Sequence, residues 1–230
     1  MSGGPDWERL KMEAWSRLLE DLEIGYLDAD ILDVLVEFFL RPGSFTKSSC
    51  SGRITVIDAL YPWAKEETMT IFKKHEPVSF EEVLSAVSKP FKYRLWLSVQ
   101  GPIYHVYVRS LEEARVVLEA AREAGFKHSG VLSLSEPPLV ELRTGVRGDI
   151  LVATERGLRV PEEYLREAVR VANEVLARAK ERNRRLLEAL RRRRPADLWR
   201  PALEYAQRLG LLGREGSEPG DAGVYYSHSP

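Results

Sequence analysis

The sequence has a single cysteine, Cys50, and four histidines among its 230 residues. One cysteine excludes an intrachain disulfide and a zinc site built from several cysteines. The histidines show no H-E-x-x-H or H-x-H spacing, so we expect no bound metal ion. The alternative is a metal site built from scattered histidines and carboxylates. No apolar run approaches the roughly 20 residues that cross a bilayer, and the N-terminus lacks a basic-then-apolar signal pattern. We therefore expect a cytoplasmic protein without membrane contact.

The glycine-rich fingerprints of common nucleotide-binding folds are also absent. The sequence contains no G-x-G-x-x-G after a predicted strand, no G-x-x-x-x-G-K-[ST] and no G-x-S-x-G. The usual glycine-rich motif for binding a dinucleotide or a methyl donor is therefore missing. Phosphate binding by a P-loop and a serine-hydrolase nucleophile elbow are also not expected. A hydrolase or transferase with Cys50 as nucleophile and a histidine as base stays open, although an isolated cysteine is more often a small packed residue.

Charge is unevenly placed, although the net charge is only −1. Residues 178–200 contain ten Lys or Arg and three acidic residues, so this segment carries a charge of +7. It is suited to binding phosphates, or to forming the solvated face of a helix in a heat-adapted protein. The four consecutive arginines at 191–194 repel one another, which calls for a partner or a disordered end.

The spacing of apolar residues predicts several helices. Helical periodicity covers about 6–19 and 28–40. Ser79 and Ser110 each begin a capping box, with glutamate three residues later, and predict two further helices. A long helix is expected over 161–194. It begins at Pro161, and proline is favoured in the first turn of a helix.

Short β-rich segments lie between these helices and predict a sheet. Two of them, 93–99 and 103–109, flank a Gln-Gly-Pro turn and predict a β-hairpin. Because strand and helix do not alternate regularly, we predict an α+β fold. We expect a single mixed, mostly antiparallel sheet, either open or curled toward a barrel. Helices pack outside it, and a long helix lies at the C-terminus. Residues 1–209 are expected to form one domain and 210–230 a flexible tail.

The most informative segment is 48–53, which reads Ser-Ser-Cys-Ser-Gly-Arg between two β-rich runs. A buried strand would favour Val, Ile or aromatic residues at these positions. Small polar side chains bring hydroxyls and backbone N–H groups close to a ligand. Gly52 permits unusual backbone conformations, and Arg53 can bind a carboxylate or a phosphate. The alternative is a polar turn with Arg53 on the surface.

Four motifs in order resemble one known family, the third-step methyltransferases of wybutosine biosynthesis in their stand-alone archaeal form. The motifs are 48–54, 73–76, 104–106 followed by 110–114, and 123–130. The resemblance spans about 28–190. It implies S-adenosylmethionine-dependent methylation of the ring nitrogen N4 of a tricyclic guanine derivative at position 37 of tRNA(Phe). The partner is then the anticodon loop of tRNA(Phe), and a monomer is favoured.

The resemblance also implies an active site. His105 and then His75 are the candidates for accepting the proton of the methylated nitrogen, and Ser51 is a further catalytic candidate. The candidates for binding the methyl donor are Ser49, Arg53, Ser129 and Gly130. The candidates for contacting RNA are Lys47, Lys127, Arg191 and Arg192. Aromatic rings for stacking on a base or on adenine are available at Tyr61, Trp63 and Trp96, although aromatic residues in strands are more often core.

A different class of function fits the same charge pattern. The chain would then be an RNA-binding module without catalysis, and its basic C-terminal helices would grip the nucleic acid. In that case His105 is a half-exposed residue of the sheet, and Ser129 and Gly130 serve only to form a turn.

Overall fold

The computed structural model describes residues 6–64 and 67–212. The helices are α1 (Trp7–Glu23), α2 (Leu32–Leu40), α3 (Phe80–Val87), α4 (Leu111–Glu123), α5 (Glu162–Arg192) and α6 (Arg200–Arg208), with a short 3₁₀ turn at Ala29–Ile31. The strands are β1 (Ser44–Cys50), β2 (Arg53–Asp58), β3 (Met69–Lys74), β4 (Arg94–Gln100), β5 (Ile103–Val108), β6 (Gly130–Ser133), β7 (Leu139–Arg143) and β8 (Arg147–Thr154). The predicted tail, 210–230, lies outside the described residues beyond 212. Among the helices described, none combines the length and apolar character needed to cross a membrane.

The predicted α+β class with a mostly antiparallel sheet and a long C-terminal helix is confirmed. The strands form two four-stranded sheets instead of one, in the orders β1-β5-β7-β6 and β3-β2-β4-β8. All neighbouring strands pair antiparallel. The described strands do not close into a barrel, because each sheet keeps two edge strands.

Three strands of the first sheet continue directly into strands of the second. Cys50 pairs with Ile103 in the first sheet, and Arg53 pairs with Gln100 in the second, so the register is kept across the junction. The predicted hairpin between β4 and β5 is therefore wrong. The chain at 101–102 does not reverse; it bends from one sheet into the other and faces the equivalent bend at 51–52.

Glycines allow this bend. Gly52 has φ +104°, and a Cβ there would lie 3.2 Å from the carbonyl oxygen of Gln100 and 3.2 Å from Leu176. A Cβ at Gly101 would collide with Thr144, which lies where β7 continues into β8. The bend thus requires residues without a side chain where the strands approach one another.

We expect Gly52→Ala to destabilise the fold by about 2–3 kcal/mol, because it adds left-handed backbone strain to a tight contact. Gly157→Ala is the matched control, since Gly157 also has positive φ but a Cβ there meets nothing within 4 Å. The control is expected to cost about 1 kcal/mol. Chemical denaturation measures both, and equal losses would show that the bend tolerates a side chain.

Two hydrophobic clusters flank the bend. The first cluster packs the first sheet against α1, α2, α4, α6 and the C-terminal half of α5. The inner face of the second sheet packs against α3 and the N-terminal half of α5. Leu165 and Leu176 belong to the second cluster, whereas Leu186 and Leu190 belong to the first. The long helix therefore joins both cores and fixes the bend between them.

Two acidic side chains form ion pairs with the run of four arginines at the end of α5. Glu37 of α2, which is almost fully buried, accepts from Arg194 at 2.8 and 2.6 Å. Arg191 Nε lies 3.9 Å from the same carboxylate. Glu123 at the end of α4 pairs with Arg192 and, at 2.7 Å, with Arg193. Each arginine of the run thus lies near a carboxylate, and two of the four positive charges are balanced there.

Candidate active site

The Ser-Ser-Cys-Ser-Gly-Arg segment forms the bend between β1 and β2. Ser51 is fully buried there. Its backbone N–H donates to Asp28 Oδ2 at 2.8 Å, and its carbonyl accepts from Asn183 of α5 at 3.2 Å. Lys180 Nζ donates to the Ser51 hydroxyl at 3.1 Å and to Asp30 at 2.5 Å. The long helix and the loop before α2 therefore hold the segment in place.

Asp28 and His75 form a charged pair beside this bend. His75 Nδ1 lies 3.1 Å from Asp28 Oδ2, 3.1 Å from the Gly52 carbonyl oxygen and 3.9 Å from Cys50 Sγ. The hydrogen bond to Asp28 and the contact with Cys50 raise the pKa of His75 to about 9. His75 therefore carries its proton at neutral pH, which suits a fixed cation better than a proton acceptor.

The carboxylate of this pair stays ionised. Burial works to raise the pKa of Asp28, but the hydrogen bonds from His75 and from the Ser51 N–H outweigh it and lower the pKa overall. Asp28 precedes the 3₁₀ turn that leads into α2, where an aspartate can cap a helix, yet its side chain makes no capping bond. Its partners are distant in the chain, since Ser51 lies in the bend after β1 and His75 directly follows β3, so the local pattern around Asp28 does not reveal its role.

Ligand atoms of Asp28, Cys50 and His75 lie within 4.8 Å of one another, which is compatible with a metal ion. Hydrogen bonds among these groups already explain the short distances. The 3.1 Å separation between Asp28 and His75 is that of a charge-assisted hydrogen bond, and the same carboxylate oxygen accepts from the Ser51 N–H. We therefore keep the prediction of a site without metal.

A row of polar groups crosses the first sheet. Ser48 of β1 pairs with His105 of β5, His105 with Glu141 of β7, and Glu141 with Gly130 of β6. Ser48 Oγ lies 2.9 Å from His105 Nδ1, and Glu141 Oε2 lies 3.2 Å from His105 Nε2. Tyr104, the neighbour of His105, is fully buried on the opposite face. The row therefore lies on the outer face of the sheet.

A cavity of about 680 Å³ opens between α1, the 26–28 loop, β1 and the 136–137 turn. Ser48 and Asp28 both line it, so it connects the polar row with the Asp28–His75 pair. The charged residues in its lining are Glu13, Arg17, Asp21, Asp28, Lys47 and Glu136. The aromatic ones are Tyr26, Phe45 and Tyr107. The cavity thus offers groups of both charges beside aromatic rings.

The four residues predicted to bind the methyl donor are not gathered in one place. Ser49 lines the cavity. Arg53 Nε donates to Gln100 of the neighbouring strand at 3.2 Å, and Arg53 is not among the described residues that line the cavity. The Ser129 hydroxyl donates to the Phe126 carbonyl at 2.7 Å and accepts from the Arg143 N–H at 3.0 Å, so it fixes a turn. Gly130 lies at the end of the polar row.

The predicted RNA contacts fall into two groups. Lys47 and Lys127 are exposed, and Lys47 also lines the cavity. Arg191 and Arg192 instead take part in the contacts that hold the end of α5, and Arg191 also donates to the Leu211 carbonyl at 2.7 Å. The structure therefore gives these arginines a role in the fold.

The aromatic candidates lie away from the cavity. Tyr61 and Trp63 follow β2 and stack on each other, with ring centroids 5.2 Å apart and an interplanar angle of 15°. Trp63 is 70% exposed. Trp96 donates its indole N–H to the Ala59 carbonyl at 3.0 Å and so supports the start of this loop. The stacked pair of Tyr61 and Trp63 is thus separate from the cavity.

A bent antiparallel sheet with a polar cavity and two imidazole–carboxylate pairs defines an enzyme with a site for a small molecule. Comparison with known proteins gives the family. A family model described as Methyltransferase TYW3 matches residues 7–192, and the chain belongs to this family. The resemblance found in the sequence motifs is therefore confirmed.

Two curated relatives are named for the same activity. One from Saccharolobus solfataricus is 44% identical over 186 residues, which are 80% of this chain and 89% of the relative. It is named tRNA(Phe) 7-((3-amino-3-carboxypropyl)-4-demethylwyosine(37)-N(4))-methyltransferase. A relative from Pyrococcus furiosus with the same name, numbered 1, is 38% identical over 196 residues, covering 84% of this chain and all of the relative.

Solved structures share the fold. A protein from Pyrococcus horikoshii superposes with a TM-score of 0.74 at 37% identity, covering 80% of this chain and 95% of that chain. A hypothetical protein from Aeropyrum pernix gives a TM-score of 0.63 at 31% identity, covering 71% of this chain and 97% of that chain.

Proposed function

We propose that this chain transfers a methyl group from S-adenosylmethionine to N4 of 7-(3-amino-3-carboxypropyl)-4-demethylwyosine at position 37 of tRNA(Phe). The observation that carries this proposal is 44% identity, over 80% of the chain, to a relative named for that reaction. The cavity beside the Ser-rich bend supports it, because it provides a place for the chemistry. We further propose that the protein acts as a cytoplasmic monomer on the anticodon loop.

The lining of the cavity fits the methyl donor. When bound, S-adenosylmethionine supplies an electrophilic methyl group on a positively charged sulfur. Asp28 and Asp21 suit its sulfonium and ammonium charges, and Lys47 suits its carboxylate. Tyr26 and Tyr107 are available to its adenine. The volume, about 680 Å³, lies within the roughly 300–1,000 Å³ typical of small-molecule sites.

The chain's own residues divide the work at this site. His75 acts as a fixed cation that keeps Asp28 ionised, and the Ser51 N–H aims the Asp28 carboxylate by binding one of its oxygens. His105 is the proton acceptor, because its imidazole is held between a hydroxyl and a carboxylate. Ser49 contacts the donor from the cavity wall. Arg53, Ser129 and Gly130 act through the fold, since Arg53 binds Gln100, Ser129 fixes a turn and Gly130 pairs with Glu141.

The proposal is tested with purified protein, S-adenosylmethionine and tRNA(Phe) that carries the aminocarboxypropyl precursor. Nucleoside mass spectrometry should show a gain of one methyl group at position 37. A parallel reaction with precursor lacking the aminocarboxypropyl group tests whether that side chain is required. Absence of methylation on both tRNAs, while a relative named for the reaction is active, would refute the proposal. The alternative of a non-catalytic RNA grip is not favoured, since each arginine of the run at 191–194 lies near a carboxylate inside the fold.

We expect Trp63→Ala to weaken tRNA binding about 5- to 100-fold, because stacking on a nucleic-acid base is worth roughly 1–3 kcal/mol. An indole that is 70% exposed and already backed by Tyr61 is suited to this contact. Fluorescence anisotropy with labelled tRNA measures the affinity, and kcat at saturating tRNA should stay unchanged. Trp63→Phe keeps an aromatic face and should recover most of the affinity. Equal Kd values for Trp63→Ala and wild type would remove this loop from the interface.

A further inference from the structure

The two ring nitrogens of His105 contact groups of different chemistry. A carboxylate only accepts hydrogen bonds, so His105 Nε2, 3.2 Å from Glu141, must carry a proton. In the neutral ring the lone pair is then on Nδ1, and the Ser48 hydroxyl, 2.9 Å away, donates to it. If Nδ1 gains a proton, the ring donates to both neighbours. The same heavy-atom positions therefore serve both protonation states.

A hydroxyl in the cavity lining lies next to this histidine. Ser48 lines the cavity, and His105 is not among the described residues that do so. The ring is instead tied to β1 and β7 by its two hydrogen bonds. A proton that leaves a ligand in the cavity can thus reach His105 through Ser48 Oγ, which touches both.

We propose that Ser48, His105 and Glu141 form a proton relay that removes the proton from N4 of the base during methylation. This inference rests on the proposed function and extends it to two residues, a catalytic Ser48 and a positioning Glu141. Glu141 fixes the tautomer of His105 so that Nδ1, the nitrogen facing Ser48, is the basic one.

The atoms and charges of the step balance. N4 forms a bond to the methyl carbon, and the sulfur keeps the electron pair of the broken carbon–sulfur bond. The N4 proton passes to Ser48 Oγ while the hydroxyl proton of Ser48 passes to His105 Nδ1. His105 becomes an imidazolium whose charge Glu141 balances, and the base leaves neutral at N4. Loss of one proton to water then restores the ring.

The geometry can be tested without donor or tRNA. Long-range ¹H–¹⁵N NMR distinguishes the two tautomers of a histidine, and the relay requires the Nε2–H form of His105 in the wild type. Glu141→Leu removes the acceptor and should give a mixture of tautomers, whereas Ser48→Ala should keep the Nε2–H form. A wild-type ring in the Nδ1–H form would overturn the relay.

The chemistry is tested by replacing the hydroxyl. We expect Ser48→Ala to lower kcat about 100-fold, at the lower end of the roughly 10²–10⁴-fold that acid–base groups contribute, with KM for donor and tRNA changed less than about threefold. Ser48→Thr keeps the hydroxyl on a strand that accepts β-branched residues and should retain most of the wild-type kcat. Circular dichroism checks that both variants are folded. Wild-type kcat in Ser48→Ala, or equal losses in the Ala and Thr variants, would overturn the relay.

Failure of the relay can be separated from failure of the proposed function. If the wild type methylates the tRNA and Ser48→Ala does so equally fast, only the relay is wrong. If the wild type yields no methylated base, the proposed function is wrong and the relay falls with it, whatever tautomer His105 shows.

Discussion

Replacement of Asp28 by asparagine is expected to lower kcat/KM about 100-fold or more, which corresponds to roughly 2.7 kcal/mol of transition-state stabilisation. The amide keeps the shape of the carboxylate but loses the charge that faces the cavity and holds His75 as a cation. Isothermal titration calorimetry should show that S-adenosylmethionine binds about tenfold more weakly. Asp197→Asn, at an exposed aspartate outside the site, is the matched control and should behave as wild type. Unchanged turnover in Asp28→Asn would exclude the carboxylate from the reaction.

The same substitution is expected to change how stability depends on pH. The folded-state pKa of His75, about 9, lies above its ordinary value of 6.5, so the stability from this group is full below pH 6.5 and is lost as the pH rises to 9. The pKa of Asp28 lies below its ordinary value of 3.8, so its contribution is full above that pH and is lost in acid. Because the pair is partly solvated, we expect the wild type to lead Asp28→Asn by about 1–2 kcal/mol at pH 6.

Measurement of this effect must allow for Lys11. Its contribution makes stability rise with pH, whereas the contribution of His75 makes stability fall. Burial lowers the pKa of Lys11 to about 7 from 10.5, so the unfolded chain binds more protons between these values and stability rises with pH there. Denaturant titrations of wild type and Asp28→Asn at pH 6 and pH 9 share the Lys11 contribution. The difference between the two proteins should therefore shrink at pH 9. A constant difference would argue against a charged Asp28–His75 pair.

The largest loss of stability is expected from Glu37→Gln, at about 2–4 kcal/mol. Removing the carboxylate leaves two partly buried guanidinium groups, of Arg191 and Arg194, facing a neutral amide. Arg191 Nε is already buried without a hydrogen-bond partner, so it depends on that nearby charge. For a chain of this size the melting temperature should fall by roughly 5–12 °C.

Glu123→Gln is the matched control for this prediction. Glu123 also faces two arginines of the same run, but its side chain is 42% exposed. Pairs exposed to this degree are worth about 0–1 kcal/mol, so the melting temperature should change by less than about 4 °C. Similar losses in both variants would mean that burial of the carboxylate does not matter here.

Much of the local structure could be predicted from the sequence. The Ser79 capping box forms with both of its hydrogen bonds, and the long helix begins directly after Pro161. These features depend on residues three or four positions apart, which periodicity captures. Strand pairing depends on distant partners, so the segments around Gly101 predicted a hairpin where the chain bends between sheets.

The candidate site shows the same division between local and distant signals. The Ser-rich segment, His75 and His105 could be named because the motifs themselves mark them. Asp28 and Glu141 could not be assigned firmly, since the role of each depends on a histidine far away in the chain. The roles of Arg191 and Arg192 were obscured for the same reason, because their acidic partners lie on other helices.

The helix α5 has a consequence for how the molecule opens. Because its two halves are buried in different hydrophobic clusters, neither cluster can come apart without freeing half of a shared element. We expect heat to melt the chain in one cooperative transition, with the slowest amide hydrogen exchange in the middle of this helix. The bend that carries the Ser-rich segment would then open last, together with the helix that anchors it.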